Sequence, residues 1–117
     1  MDDPGLTSIE RLKHIEEAIS KIEKFCQDID EQKFLEDEQV SSSVLYQFIV
    51  IGEAVRFVNP EILKKYPYAW HLPRSFRNYV AHEYFGINLK QVYKTVKDTL
   101  PEFKGIIQNI IESEANK

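Results

Sequence analysis

Eight consecutive residues, Arg77-Asn78-Tyr79-Val80-Ala81-His82-Glu83-Tyr84, place a fixed cation, an amide, a titratable imidazole and a phenol within about two helical turns. In a helix, Asn78 and His82 share a face, with Arg74 one turn further back on the same line. Arg77 and Tyr84 form a second line, from which the long Arg77 side chain can reach around toward His82. Cleavage of RNA without a metal needs a base for the 2′-hydroxyl proton, a cation for the charged phosphorane and an acid for the leaving 5′-oxygen. His82 can act as base or acid near neutral pH. Arg77 can hold two phosphate oxygens through its fork, and Asn78 can orient His82 or donate to the phosphate. One imidazole cannot easily be acid and base at once, which favours a twofold homodimer bringing two copies of the motif to one groove. The plainer alternative is structural: Arg77 pairs with Glu83 or Glu53, and His82 packs at a helix end, where the dipole favours a cationic ring.

Charge is distributed in a way that suits an anionic ligand at this segment. The chain of 117 residues carries a formal net charge of -4, which argues against broad affinity for nucleic acid. Between Glu61 and Glu83, however, there is no acid, while Lys64, Lys65, Arg74 and Arg77 are all basic and His71 and His82 are available. Lys64, Lys65 and Arg74 are therefore the candidate RNA-binding residues around the motif. Other chemistries lack their residues. His14, His71 and His82 form no His-x3-His or cysteine pairing, so no metal site is expected. No glycine-rich phosphate loop or serine nucleophile motif occurs, and no cofactor is implied. The lone Cys26 excludes an intrachain disulfide and suits a reducing compartment, where it would serve as a small packing residue. The acidic start Met-Asp-Asp-Pro-Gly is no secretory signal, and nothing approaches the apolar run of a membrane span, so a cytoplasmic protein is expected.

The elements that must position the motif read as helices throughout. Thr7 or Ser8 caps a first long helix in which Ile9, Leu12, Ile15, Ile19, Ile22, Phe25 or Cys26, and Ile29 recur at three or four. The acidic stretch that follows holds Phe34-Leu35 as an apolar pair, which predicts a short helical connector pinned to the core. Ser41 to Val58 predicts a second long helix with two stripes, Val44, Phe48, Ile51, Val55 and Val58 on one and Leu45, Ile49 and Gly52 on the other. Two stripes need two partners: one can face the core and the other another subunit, with Gly52 allowing close helix approach. Glu53 reads as a buried pairing partner for a basic residue or as an interface charge.

Asn59-Pro60 ends that helix, and a short helix is predicted from Glu61 to Tyr66. Trp70 serves as a core anchor. The motif helix should run from about residue 73 to 84, with Pro73 in its first turn, His82 and Tyr84 in its last, and Gly86 in the left-handed position beyond. Asn88 caps a final helical region, which Pro101 should kink or restart near Thr99. No apolar/polar alternation or hairpin signal occurs, so the architecture is an all-α up-and-down bundle of three or four long helices in one domain spanning 1–117.

The pattern Arg77-x4-His82-x-Tyr84 resembles the signature of HEPN-domain proteins of the HepT type, the toxin half of HepT/MntA toxin–antitoxin pairs. Ile51-Gly52-Glu53-Ala54, Trp70, Tyr84-Phe85-Gly86-Ile87-Asn88 and Leu100-Pro101 add to the likeness, although Asn88 stands where that family often has Asp. The resemblance implies a homodimer with both His82 residues facing a shared cleft, and a metal-independent endoribonuclease. It also implies that Tyr84 is the site at which an MntA-like nucleotidyltransferase antitoxin attaches AMP; phosphate added beside Arg77 would block RNA by charge and bulk. On sequence alone, Tyr84 reads equally as a helix-end packing residue. The competing reading is a noncatalytic helical module that binds a nucleotide or substrate for a partner nucleotidyltransferase. A purely structural helical dimer is the third.

Overall fold

The α-helices pack around a shared apolar core in a computed structural model that describes residues 7–116. Helix α1 spans Ser8–Phe25, α2 Glu31–Glu36, α3 Glu38–Arg56, α4 Pro60–Leu63, α5 His71–His82, α6 Leu89–Lys94 and α7 Leu100–Ala115. A 3-10 turn, Tyr84–Gly86, follows α5, and a π-helical segment, Thr95–Thr99, joins α6 to α7. No strand occurs among the described residues, so the all-α bundle expected from the periodicity is the fold observed. Nor is any described helix long and apolar enough to cross a membrane.

Helices α1, α3 and α7 supply most of the centre. Leu12, Ile15, Ile19 and Ile22 of α1 lie against Val44, Phe48, Ile51 and Val55 of α3, with Phe103, Ile107 and Ile110 of α7 closing the third side. Each such side chain removed from water contributes about 1.5–3 kcal/mol. The connector α2 is held as expected by Phe34, which is fully buried with its ring 5.4 Å from that of Tyr93.

Several boundaries differ from the sequence reading, each for a local reason. Helix α1 stops at Phe25 rather than reaching Ile29, because Asp28 takes a left-handed conformation (φ 60°) and turns the chain. Aspartate tolerates that region better than most residues. Asp30 then caps α2, its carboxylate accepting the Lys33 N–H at 2.8 Å. Helix α3 begins at Glu38, three residues before the expected Ser41, because Asp37 accepts the Val40 N–H at 3.1 Å and starts it earlier. Helix α4 is one turn starting at Pro60 and does not extend to Tyr66. The second stripe of α3 is also satisfied within the chain at Gly52, which is buried against α5 and not left for another subunit.

Helix α5 begins at His71, so Pro73 sits in its first turn, where a missing N–H costs no intrahelical bond. It ends at His82, and Tyr84 has already passed into the 3-10 turn. Gly86 is not left-handed: the turn is closed by its N–H donating to the Glu83 carbonyl at 2.8 Å, which leaves no reversal for glycine to make. Asn88 caps α6 through the Gln91 N–H at 3.2 Å. The expected break at Pro101 takes π form, with the Leu100 N–H donating to the Thr95 carbonyl five residues back. A proline that cannot donate to its own i−4 carbonyl is accommodated by restarting the helix one residue ahead of it.

Candidate active site

The motif helix is seated on α3 at Gly52. A Cβ at that position would stand 2.1 Å from Arg77 Cβ, 2.7 Å from Arg77 Cγ and 2.9 Å from the Pro73 carbonyl. Only a glycine lets the two backbones approach so closely. Phe76 adds an edge-on contact to Phe48 of α3, with ring centroids 4.8 Å apart, and Val80 is fully buried beneath the helix.

This seating fixes where the polar side chains lie. The Arg77 stem presses on α3, and its Nε lies 3.0 Å from Glu53 Oε1. That Nε makes no hydrogen bond and is shielded from solvent, so the contact is an ion pair in which the N–H does not aim at the carboxylate. The terminal Nη1 donates outward to Asn78 Oδ1 at 3.2 Å. Asn78 and His82 are exposed on the same side of α5, one turn apart, and Arg74 is exposed one turn earlier. His82 occupies the last position of α5, next to the carbonyls of the helix end. Arg77, Asn78, His82 and Arg74 therefore share one surface.

The remaining expected residues are placed differently. Tyr84 is half-buried, packed on the core and edge-on to the fully exposed Phe85 at 5.6 Å between centroids. Lys64 pairs with Glu61 at 3.0 Å, and Lys65 with Glu114 near the end of α7 at 3.2 Å, so the observed partners of both lie off the motif helix. Trp70 is half-buried and donates from its indole nitrogen to the Tyr66 carbonyl at 3.0 Å, beside Phe103, as expected of an anchor. A cavity of about 370 Å³ opens on the side of α5 that carries Leu72, Phe76 and Tyr79, and neither Arg77 nor His82 lines it. Among the described residues no three His, Cys, Asp or Glu side chains gather as a metal-ligand set.

The model of one protein family, described as ribonuclease HepT-like, matches residues 15–110, from the first third of the α1 stripe to the last buried isoleucine of α7. The chain belongs to the HepT-like ribonuclease family. A protein of Methanocaldococcus jannaschii named as a candidate RNase is 32% identical over 94 residues, covering 80% of this chain and 86% of its own. One of Thermococcus cleftensis named as a probable ribonuclease HepT is 31% identical over 100 residues, covering 85% and 91% respectively. No solved structure matches.

In this HepT-like chain the sequence reading missed Arg56. Its Nη1 lies 3.7 Å from Glu53 Oε2, its guanidinium stands over the Phe57 ring at 5.2 Å, and the side chain is exposed. The i, i+3 spacing of Glu53 and Arg56 was the available signal. Glu53 is thus shared by two guanidinium groups, one from the motif helix and one from its own.

Proposed function

We propose that this chain is a metal-independent endoribonuclease toxin of a toxin–antitoxin pair, acting as a homodimer at the Arg77-x4-His82 surface. The observation that carries the reading is the clustering on one exposed face of α5 of a guanidinium bonded to Asn78 with an imidazole one turn beyond. Family membership supplies the reaction class. In the proposed step, His82 of one protomer removes the RNA 2′-hydroxyl proton, and the freed oxygen bonds to phosphorus. The phosphorus–O5′ bond breaks, and His82 of the other protomer, protonated beforehand, gives its proton to the leaving oxygen. The products are a 2′,3′-cyclic phosphate and a 5′-hydroxyl. Arg77 stabilises the charge on the phosphorane, Asn78 holds the Arg77 tip and orients the phosphate, and Arg74 adds positive charge along the approach.

Tyr84 supplies the off state. Transfer of AMP from a nucleotide triphosphate by an MntA-like nucleotidyltransferase would bond the Tyr84 oxygen to the α-phosphate and release pyrophosphate, placing an anion near the cations that RNA needs. The ring is half-buried and is carried by the short 3-10 turn that directly follows α5.

The test is cleavage of single-stranded RNA in EDTA by purified protein. Arg77→Ala and His82→Ala should each lose at least about 100-fold in rate, as loss of a proton-transfer or charge-stabilising group does. A His82→Ala protein that cuts as fast as wild type removes the mechanism.

A further inference from the structure

Glu53 interrupts the apolar run of residues 48–55, and its side chain is only 15% exposed. A carboxylate so placed loses hydration and needs compensating charge. It has two cations: Arg77 Nε at 3.0 Å on one oxygen and Arg56 Nη1 at 3.7 Å on the other. The group as a whole keeps one net positive charge, the sign a phosphate requires.

The Arg77 guanidinium is held asymmetrically. Its Nε, shielded from solvent, stands 3.0 Å from a Glu53 oxygen, while its outer end, at Nη1, reaches Asn78 on the exposed side. Its stem cannot shift toward α3, since Cβ and Cγ already occupy the space a Gly52 side chain would need. Stem, inner edge and tip are each fixed by a different residue. An arginine in solution spreads its planar fork over many rotamers, and fixing it beforehand removes that loss from the binding step.

We propose that Glu53 is a positioning residue for the RNA-cleaving reaction: it holds the Nε edge of Arg77 so that the terminal nitrogens face the scissile phosphate. This rests on the ribonuclease reading given above. Two other roles for the same ion pair make different predictions. A purely structural pair predicts lower stability with an unchanged rate per folded molecule. A pair that competes with RNA for Arg77 predicts that removing the carboxylate charge lowers KM and raises the rate.

The experiment compares the full-length wild type, Glu53→Gln, Glu53→Asp, Arg77→Ala and the double variant Glu53→Gln/Arg77→Ala on one single-stranded RNA in EDTA, with thermal melts alongside. Glu53→Gln should lower kcat roughly 10- to 100-fold with a smaller change in KM, the scale of a misplaced catalytic group. In the Arg77→Ala background the same change should cost nothing further, because Glu53 acts only through that arginine. If Glu53→Gln does not fold, Glu53→Asp, which keeps the charge and withdraws it by one methylene, is read against the same expectations. A wild-type kcat with a lowered melting temperature, or a lowered KM with a raised kcat, overturns the positioning role while leaving the ribonuclease reading intact if Arg77→Ala is inactive. An Arg77→Ala protein as active as wild type overturns both.

Discussion

Replacing Gly52 by alanine should push the motif helix away from α3 while leaving every side chain proposed to act on RNA chemically unaltered. The added methyl would fall 2.1 Å from Arg77 Cβ, an atom fixed to the α5 backbone, and 2.9 Å from the Pro73 carbonyl. Carbon atoms in ordinary contact stand about 3.5–4.0 Å apart, so α5 must retreat by roughly 1.5 Å or tilt to the same effect. Overpacking of this kind costs about 1–3 kcal/mol, while alanine regains about 1 kcal/mol over glycine in a helix. A net loss of up to about 2 kcal/mol lowers the melting temperature by several degrees at most, leaving a folded protein at room temperature. Activity should fall much further, about 100-fold, because the retreat carries Arg77 away from Glu53. The control is Gly105→Ala in α7, where glycine is exposed and a Cβ meets nothing within 4 Å. That variant should gain up to about 1 kcal/mol and cut RNA at the wild-type rate. Thermal melts by circular dichroism and initial rates on one RNA oligonucleotide decide the matter. A Gly52→Ala protein with wild-type stability and rate would refute the claim that close helix contact sets the site.

Other consequences can be checked separately. Phe34→Ala should cost about 3–5 kcal/mol in a denaturant titration, since a fully buried ring against Tyr93 is lost, and a cost under about 1 kcal/mol would show that α2 is not pinned by it. The Tyr66 hydroxyl donates to Glu114 at 2.6 Å, and this bond, with partial desolvation, raises the phenol above its usual value. A group raised in the folded state contributes stability below its unfolded pKa, near 10, and loses it as pH climbs through the folded value. Tyr66→Phe should therefore flatten the decline in melting temperature above about pH 10, and an unchanged decline would assign it to other groups. Burial raises the Cys26 thiol, against a smaller opposing effect of Lys97, so an aromatic disulfide reagent at about pH 8 should label the native protein far more slowly than the unfolded one.

The helices were legible where apolar spacing and a polar cap coincided. Ile15, Ile19 and Ile22 mark the buried face of α1, and Thr7 and Asn88 cap where their side chains can accept an N–H. Boundaries failed where one residue of a uniform run does the deciding. Asp37 starts α3 from within a string of acids that all look alike in sequence, and Asp28 reverses the chain where periodicity would have continued it. Two apolar stripes on α3 show that two partners are needed without naming them. At Gly52 the partner is the motif helix, a long-range contact that local spacing cannot reveal. At the site, the shared face of Arg74, Asn78 and His82 follows from helix geometry alone. Whether Arg77 would pair with Glu53 or Glu83 did not, because only the packing of α3 on α5 brings Glu53 to 3.0 Å.

That pairing was the structural alternative to catalysis, yet the two are compatible because a guanidinium has more than one edge. Arg carries five N–H donors in a rigid fork, and here the nitrogen paired with Glu53 is Nε, at 3.0 Å. The terminal nitrogens remain at the surface, where the observed contact is the neighbouring Asn78 at 3.2 Å. An arginine seated this deeply on a glycine would bury positive charge without compensation if position 53 were apolar. The carboxylate that makes the seat tolerable also fixes the direction in which the rest of the fork points. Glu53 thus bears on both the stability and the orientation of Arg77, so the two must be separated by rate measured per folded molecule and not by loss of activity alone.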